Sequence, residues 1–215
     1  MEHILALYAL PYDPKYPVIC FDERPCFLSG ETLLPVPMRP GQVRKEHYAY
    51  EKLGSCALLA AIEPLTGRRL GQVHPQHTKR EYTLFCQALA AMDPDAIKLR
   101  LVQDNLNTHN ASAFYEYLPA DEAFALAQRF EFVYTPKSAS WLNMIECEFS
   151  VLARLCWSRR IPTIEVLRRE TLTLLEERSR KQIKINWQFS LQAACSTLNK
   201  HYTRVHPQNK KYLET

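Results

Sequence analysis

No stretch of this 215-residue chain is long and apolar enough to span a bilayer. The runs Ile4–Leu10 and Cys56–Ile62 fall far short of the roughly 18 residues a crossing needs. No secretory leader is expected either. Glu2 stands where a basic residue belongs, and the apolar stretch behind it lacks a small-residue cleavage site. A cytoplasmic protein with no membrane partner is therefore expected. There is no CxxC pair, and the cysteines at 20, 26, 56, 86, 147, 156 and 195 are odd in number and scattered, so reduced core thiols are expected rather than a zinc site. His74 and His77 in "HPQH" are separated by a loop proline, with no further ligands nearby, and no metal role is expected of them. Repeats, low-complexity tracts and heptads are absent too. Hydrophobic content of 47% with 23% charged residues is ordinary for a globular protein and favours neither disorder nor coiled coil. What remains is one domain with a full-sized core, large enough for an enzyme.

Charge is unevenly spread. Residues 1–150 hold 14 Lys+Arg against 18 Asp+Glu, whereas 151–215 hold 13 against 5. The last third is thus the natural surface for a polyanion.

"PVICFDE" (Pro17–Glu23) reads as a buried strand ending in acids. Ser55–Ile62 and Arg69–Val73 flank "EPLTGR", whose Pro64 and Gly67 supply turn chemistry, so a hairpin is expected, although the alanines of its first arm also suit a helix. The proline-rich "LPVPMRPGQ" should be an edge strand or irregular loop. Thr78 and Glu81 form a capping-box pattern ahead of Phe85, Ala88, Leu89 and Met92 at helical spacing. Then come a strand ending at Asp104, a helix near Ala111–Leu118 and a strand at Phe130–Thr135. "SASWLNMIECEFSVLARLCW" predicts a helix capped by Ser138 or Ser140, with Leu142, Ile145, Phe149, Leu152 and Cys156 inward. A helix from Thr163, supported by Glu176–Arg180 and Glu177–Lys181 pairs, and a short one within Trp187–His201 complete the chain. The order predicts an α/β fold, a mixed sheet with an antiparallel hairpin and parallel strands added through helices.

Asp22 and Asp104 each close a predicted strand, where α/β folds bind ligands, and two carboxylates that close need a cation or a proton between them. A third acid is available on the following helix. Glu146 and Glu148 lie about 200° apart there, so only one can face the sheet, and spacing does not choose between them. Nor does it separate Asp22 from Glu23, which alternate to opposite faces.

"FDE", "VQDNLNTH" and "TPKSASWLNMIE" resemble the three signatures of the DDE transposases, specifically bacterial insertion-sequence transposases related to the Tc1/mariner group. The likeness extends through "LPVPMRPGQV" and "HYAYEKLGSCALLAAIEPLTGRRLGQVHPQHT" and covers about residues 17–180. It implies a ribonuclease H-like fold, a mixed five-stranded sheet with helices on both faces, over residues 1–185, with 186–215 as a helical, basic tail. By the same resemblance Asp22, Asp104 and Glu146 are the catalytic, metal-binding acids, while Glu23 and Glu148 fall outside the register. The expected cofactors are two Mg²⁺ ions, with Mn²⁺ as a substitute. The expected chemistry is metal-dependent cleavage and transfer of DNA strands, with transposon ends and target DNA as partners and a homodimer on DNA.

Around the acids, Asn105, His109 and Asn143 are candidates for supporting the site, Asn143 by bridging backbone. Trp141 is expected to pack rather than stack on DNA, and Arg39 to brace its loop. Arg154, Arg159, Arg160, Arg168, Arg169, Lys181 and Lys184 are candidate contacts to the DNA backbone. Relatives in this group carry helix-turn-helix modules ahead of the catalytic domain. Without end recognition from elsewhere, weak DNA binding with little sequence preference is expected. Two other readings use the same residues: a nuclease of this fold that cuts without joining, and a silent protein that binds DNA or a partner through its basic third.

Overall fold

The computed structural model describes residues 1–205; the last ten residues of the tail expected at 186–215 lie outside the described residues. Five strands form one sheet: β1 (Val18–Glu31), β2 (Tyr50–Glu63), β3 (Arg68–His74), β4 (Leu99–Gln103) and β5 (Phe130–Tyr134), in the spatial order β3-β2-β1-β4-β5. β1, β2 and β3 are antiparallel neighbours, whereas β4 and β5 join in parallel. The mixed sheet expected from the element order is therefore present.

Alternation along β1 and β2 sends side chains to two separate cores. Ile19, Phe21, Ala57, Leu59 and Ala61 face α2 (Lys79–Met92), α3 (Ser112–Tyr117) and α4 (Ala120–Gln128). Cys20, Cys26, Leu58, Ala60 and Ile62 face α1 (Glu2–Tyr8), α5 (Ile145–Leu155) and α6 (Ile164–Arg180), with Ala194 of α7 (Leu191–Thr197) in the same cluster. Being apolar on both faces, the alanine-rich arm of β2 is a central strand, not a helix.

Several local expectations hold. Thr78 and Glu81 form the full capping box on α2, and Thr163 caps α6 through the Val166 N–H. Of the two helical ion pairs expected on α6, only Glu177–Lys181 forms among the described residues.

Others are corrected. β1 does not end at the acids but runs eight residues past Glu23, because β2 keeps pairing with it as far as Glu31↔Tyr50. Neither Ser138 nor Ser140 caps α5. A 3-10 turn at Ser140–Leu142 intervenes, and the helix starts behind Met144 with no side-chain cap. The single short helix expected within 187–201 is two, α7 and α8 (Asn199–Val205). Also unforeseen were α1 and α4. Between β1 and β2 the proline-rich stretch is irregular, held by bridges Val36↔Lys45 and Arg39↔Gln42.

Gly67 shows why the hairpin turn is built as it is. Its φ of +80° favours glycine, and an added Cβ would stand 2.7 Å from the Gln182 carbonyl carbon. The segment after α6 docks on this turn, with the Ile185 N–H donating to the Pro64 carbonyl (3.1 Å). Five cysteines are buried as expected; Cys147 is exposed and Cys195 half-buried.

Candidate active site

β1 and β4 run side by side, in register from Val18↔Arg100 to Cys20↔Val102. Two positions beyond that last pair come Asp22 and Asp104, one on each chain. β4 ends at Gln103 while β1 continues, so Asp22 lies in mid-strand at the point where its parallel neighbour stops. The sheet therefore opens beside it.

The third acid arrives from the helical layer. Asn143 Nδ2 donates to the Phe21 carbonyl (2.8 Å), and the Tyr8 hydroxyl donates to the Leu142 carbonyl (2.8 Å). The first bond ties the entry of α5 to β1 one residue ahead of Asp22, which is the backbone bridge expected of Asn143, and the second ties it to α1. Glu146 then lies on the first turn of α5, half-buried, with Arg24 at 4.0 Å. Glu148 turns the other way. It is buried and held by Arg69 (2.9 Å) and Arg178 (2.6 Å), two arginines from β3 and α6.

Crowding shows in the chemistry of Asp22. Burial pushes its carboxyl up most. The Glu23 N–H (2.8 Å) opposes, the charges of Asp104 and Glu146 add to the rise, and His109 works against it; the carboxyl ends at about 7. Both other acids thus act on Asp22.

His109 is the best-held support residue. It is buried, stacked on Tyr82 (5.0 Å between centroids) with Phe21 edge-on (5.2 Å). Its Nδ1 meets Asp104 Oδ1 at 2.6 Å and its Nε2 meets Glu23 Oε2 at 3.4 Å. Burial works against the imidazolium, but the bonds to and charges of Asp104 and Glu23 prevail and lift it to about 9. Gln103 fixes the loop, accepting from the Tyr82 hydroxyl (2.9 Å) and donating to the His109 carbonyl (2.6 Å). His77 completes the chain of contacts at 3.1 Å from Glu23, while Asn105 stays exposed. Gln103 and Tyr82 were missed from sequence, while Glu23 and His77 were weighed there and set aside. Only the strand alternation that turns Glu23 away from Asp22 hinted at a second use for it.

The expected basic contacts do not gather in one place. Arg168 donates to the Val73 carbonyl (3.0 Å), and Arg160 bonds Glu31 and the His47 carbonyl, so both brace the fold. Arg159 and Arg169 share Glu170, and Lys181 pairs with Glu177. Arg154 and Lys184 are exposed. Trp141 is half-exposed and packs edge-on against Phe189 (5.4 Å), and Arg39 is exposed on its loop.

Hard carboxylate oxygens whose crowded charge is only partly offset suit a divalent cation, and Asp22, Asp104 and Glu146 are such a set. Among the described residues, no group of three His, Cys, Asp or Glu side chains is already arranged to hold one. The acids adjoin without closing.

A mixed sheet in the order 3-2-1-4-5, with helices on both faces and acids where β1 and β4 part, defines the ribonuclease H-like class. Similarity to solved structures supports it. A chain of a pre-cleavage Mos1 transpososome matches with a TM-score of 0.53 at 12% identity, over 87% of this chain and 61% of that one. The Mos1 Strand Transfer Complex matches at 0.55 and 14%, over 99% of this chain and 60% of that one. This chain thus spans about three fifths of those chains' length. No curated protein shows a significant match. The family model for the DDE superfamily endonucleases matches residues 17–168, and the chain belongs to that family. No helix among the described residues is long and apolar enough to cross a membrane.

Proposed function

We propose that this chain is the catalytic domain of a transposase, cutting DNA strands and joining them through metal-dependent phosphoryl transfer. The observation that carries the reading is the placement of half-buried Asp22, where β1 and β4 part, beside Asp104 just past the end of β4 and Glu146 on α5. In this reading those three residues hold two Mg²⁺ or Mn²⁺ ions. When bound, the ions supply Lewis-acid stabilisation of the attacking and leaving oxygens.

The protein's own part is to position. His109 holds one oxygen of Asp104, and Asn143 holds the start of α5 against β1, so the acids on different elements keep a common register. Asn105, exposed in the same loop directly after Asp104, is available to substrate. In the reaction a new P–O bond forms to water or to a DNA 3′-hydroxyl as the existing P–O bond breaks. The nucleophile gives up its proton to solvent, and the released strand leaves with the bond's electron pair. One site can thereby hydrolyse and transfer.

Transposon ends and target DNA are the proposed substrates. Arg154, Arg159, Arg169, Lys181 and Lys184 are the exposed cations available to its backbone, with Arg160 and Arg168 committed to the fold. Handling two ends together calls for a homodimer on DNA. The structural neighbours, chains of a pre-cleavage transpososome and of a strand transfer complex, support this reading.

Calorimetric titration with Mn²⁺ tests the centre. Binding should weaken in Asp22→Asn, Asp104→Asn and Glu146→Gln alike, and Asp104→Asn should abolish DNA cleavage with the fold intact. Unchanged Mn²⁺ binding in all three variants would sink the assignment. Transfer of a labelled 3′-hydroxyl donor separates joining from cutting alone.

A further inference from the structure

Arg24 is a residue that neither fold nor metal binding explains. Two positions beyond Asp22 on β1, it lies on the same face of the sheet, the one that packs against α5. Its guanidinium stands 5.7 Å from the ring centroids of both Phe149 and Trp157. These aromatic faces hold the long side chain beside the acids. Its one ion pair among the described residues is with Glu146, at 4.0 Å, the outer limit of such a contact, with the two side chains 42% and 39% exposed. A pair that long and that wet contributes little to stability.

A part-exposed guanidinium set over two aromatic rings, with one long ion pair, is suited to a tetrahedral oxyanion, which it can grip through two parallel bonds. The acid it rests on is also one of the three proposed metal ligands. A cation drawn to the acids competes with Arg24 for Glu146, so metal loading frees the guanidinium beside the place where a scissile strand would lie. We infer that Arg24 binds a backbone phosphate of the DNA strand at the acid cluster, with Glu146 as its resting partner. This rests on the transposase reading above.

The test uses the full chain, a fluorescein-labelled DNA duplex and Mn²⁺, in the Asp104→Asn background, which keeps Glu146 in place and is expected to leave the DNA uncut. Adding Arg24→Ala should lower affinity about three- to tenfold at low salt and flatten the slope of log K against log salt by about one. Arg24→Lys should keep the slope, since the charge stays. Arg24→Gln, which retains the stem against Phe149 and Trp157, replaces the alanine variant if that chain fails to fold. An unchanged slope in the neutral variant overturns the inference. The metal reading fails separately, if Mn²⁺ binding ignores Asp104→Asn, and the slope still decides whether Arg24 touches the backbone.

Discussion

Asp22 carries a proton in the metal-free fold at pH values where an exposed aspartate is ionised, and this has a measurable consequence. Between its ordinary value of 3.8 and about 7, the unfolded chain releases that proton while the folded chain keeps it. Folding then binds a proton, so the contribution of Asp22 to stability is complete below pH 3.8 and is lost as pH rises through 7. His109 has the same sign. Its raised value of about 9 gives stability that is complete below 6.5 and lost toward 9. Asp22→Asn removes the first of these losses. The metal-free variant should be more stable than the parent at pH 8, by roughly 2–4 kcal/mol, and no more stable at pH 3.5. Thermal melts at the two pH values check it, and equal differences at both would show that Asp22 is not crowded. That Asp22 mattered was legible in the sequence from its acid-ended run. That His109 would meet both Asp104 and Glu23 was not, because the contact joins residues 86 apart.

Elements explain why Glu146 stays where it is. α5 has no side-chain cap, and its register is set by what it grips: Asn143 on β1 at its entry, and Glu148 between Arg69 and Arg178 one turn on. Arg69 is fully buried and also donates to the Gly67 (2.5 Å) and Ile183 (2.8 Å) carbonyls, so one network ties β3, α5, α6 and the segment after α6. Glu148→Gln leaves that buried guanidinium without its counter-charge, which should cost about 3–5 kcal/mol in a denaturant melt. A loss below 1 kcal/mol would mean the network is not what holds the helix. The apolar stripe of α5 could be read from its 3.6-residue spacing, whereas spacing left Glu146 and Glu148 open and only the resemblance pointed to Glu146. That Glu148 is held between Arg69 and Arg178 could not be read, because both partners lie far away in the chain.

At the scale of the whole molecule, the acids belong to different layers. Asp22 and Asp104 are carried by the sheet and Glu146 by a helix packed on it, so an ion held by all three binds the folded chain and not the unfolded one. Mn²⁺ at about 100 times its Kd should therefore stabilise the protein by about 2.7 kcal/mol. For a chain of this size that is a rise of roughly 5–10 °C in Tm. Asp104→Asn should lose the rise. An equal rise in that variant would place the ion elsewhere.

The sequence alone determined the local and the periodic: the capping box of α2, the hairpin turn at Gly67 and the apolar stripe of α5. Its motifs were enough to indicate the family and three acids. Those are short-range properties, set by neighbours within a turn or by side-chain alternation. Where β1 ends, what holds Glu148, which arginines are spent on the fold and what His109 touches were decided by tertiary structure. Each depends on a partner far away in the chain, and only packing brings the two together.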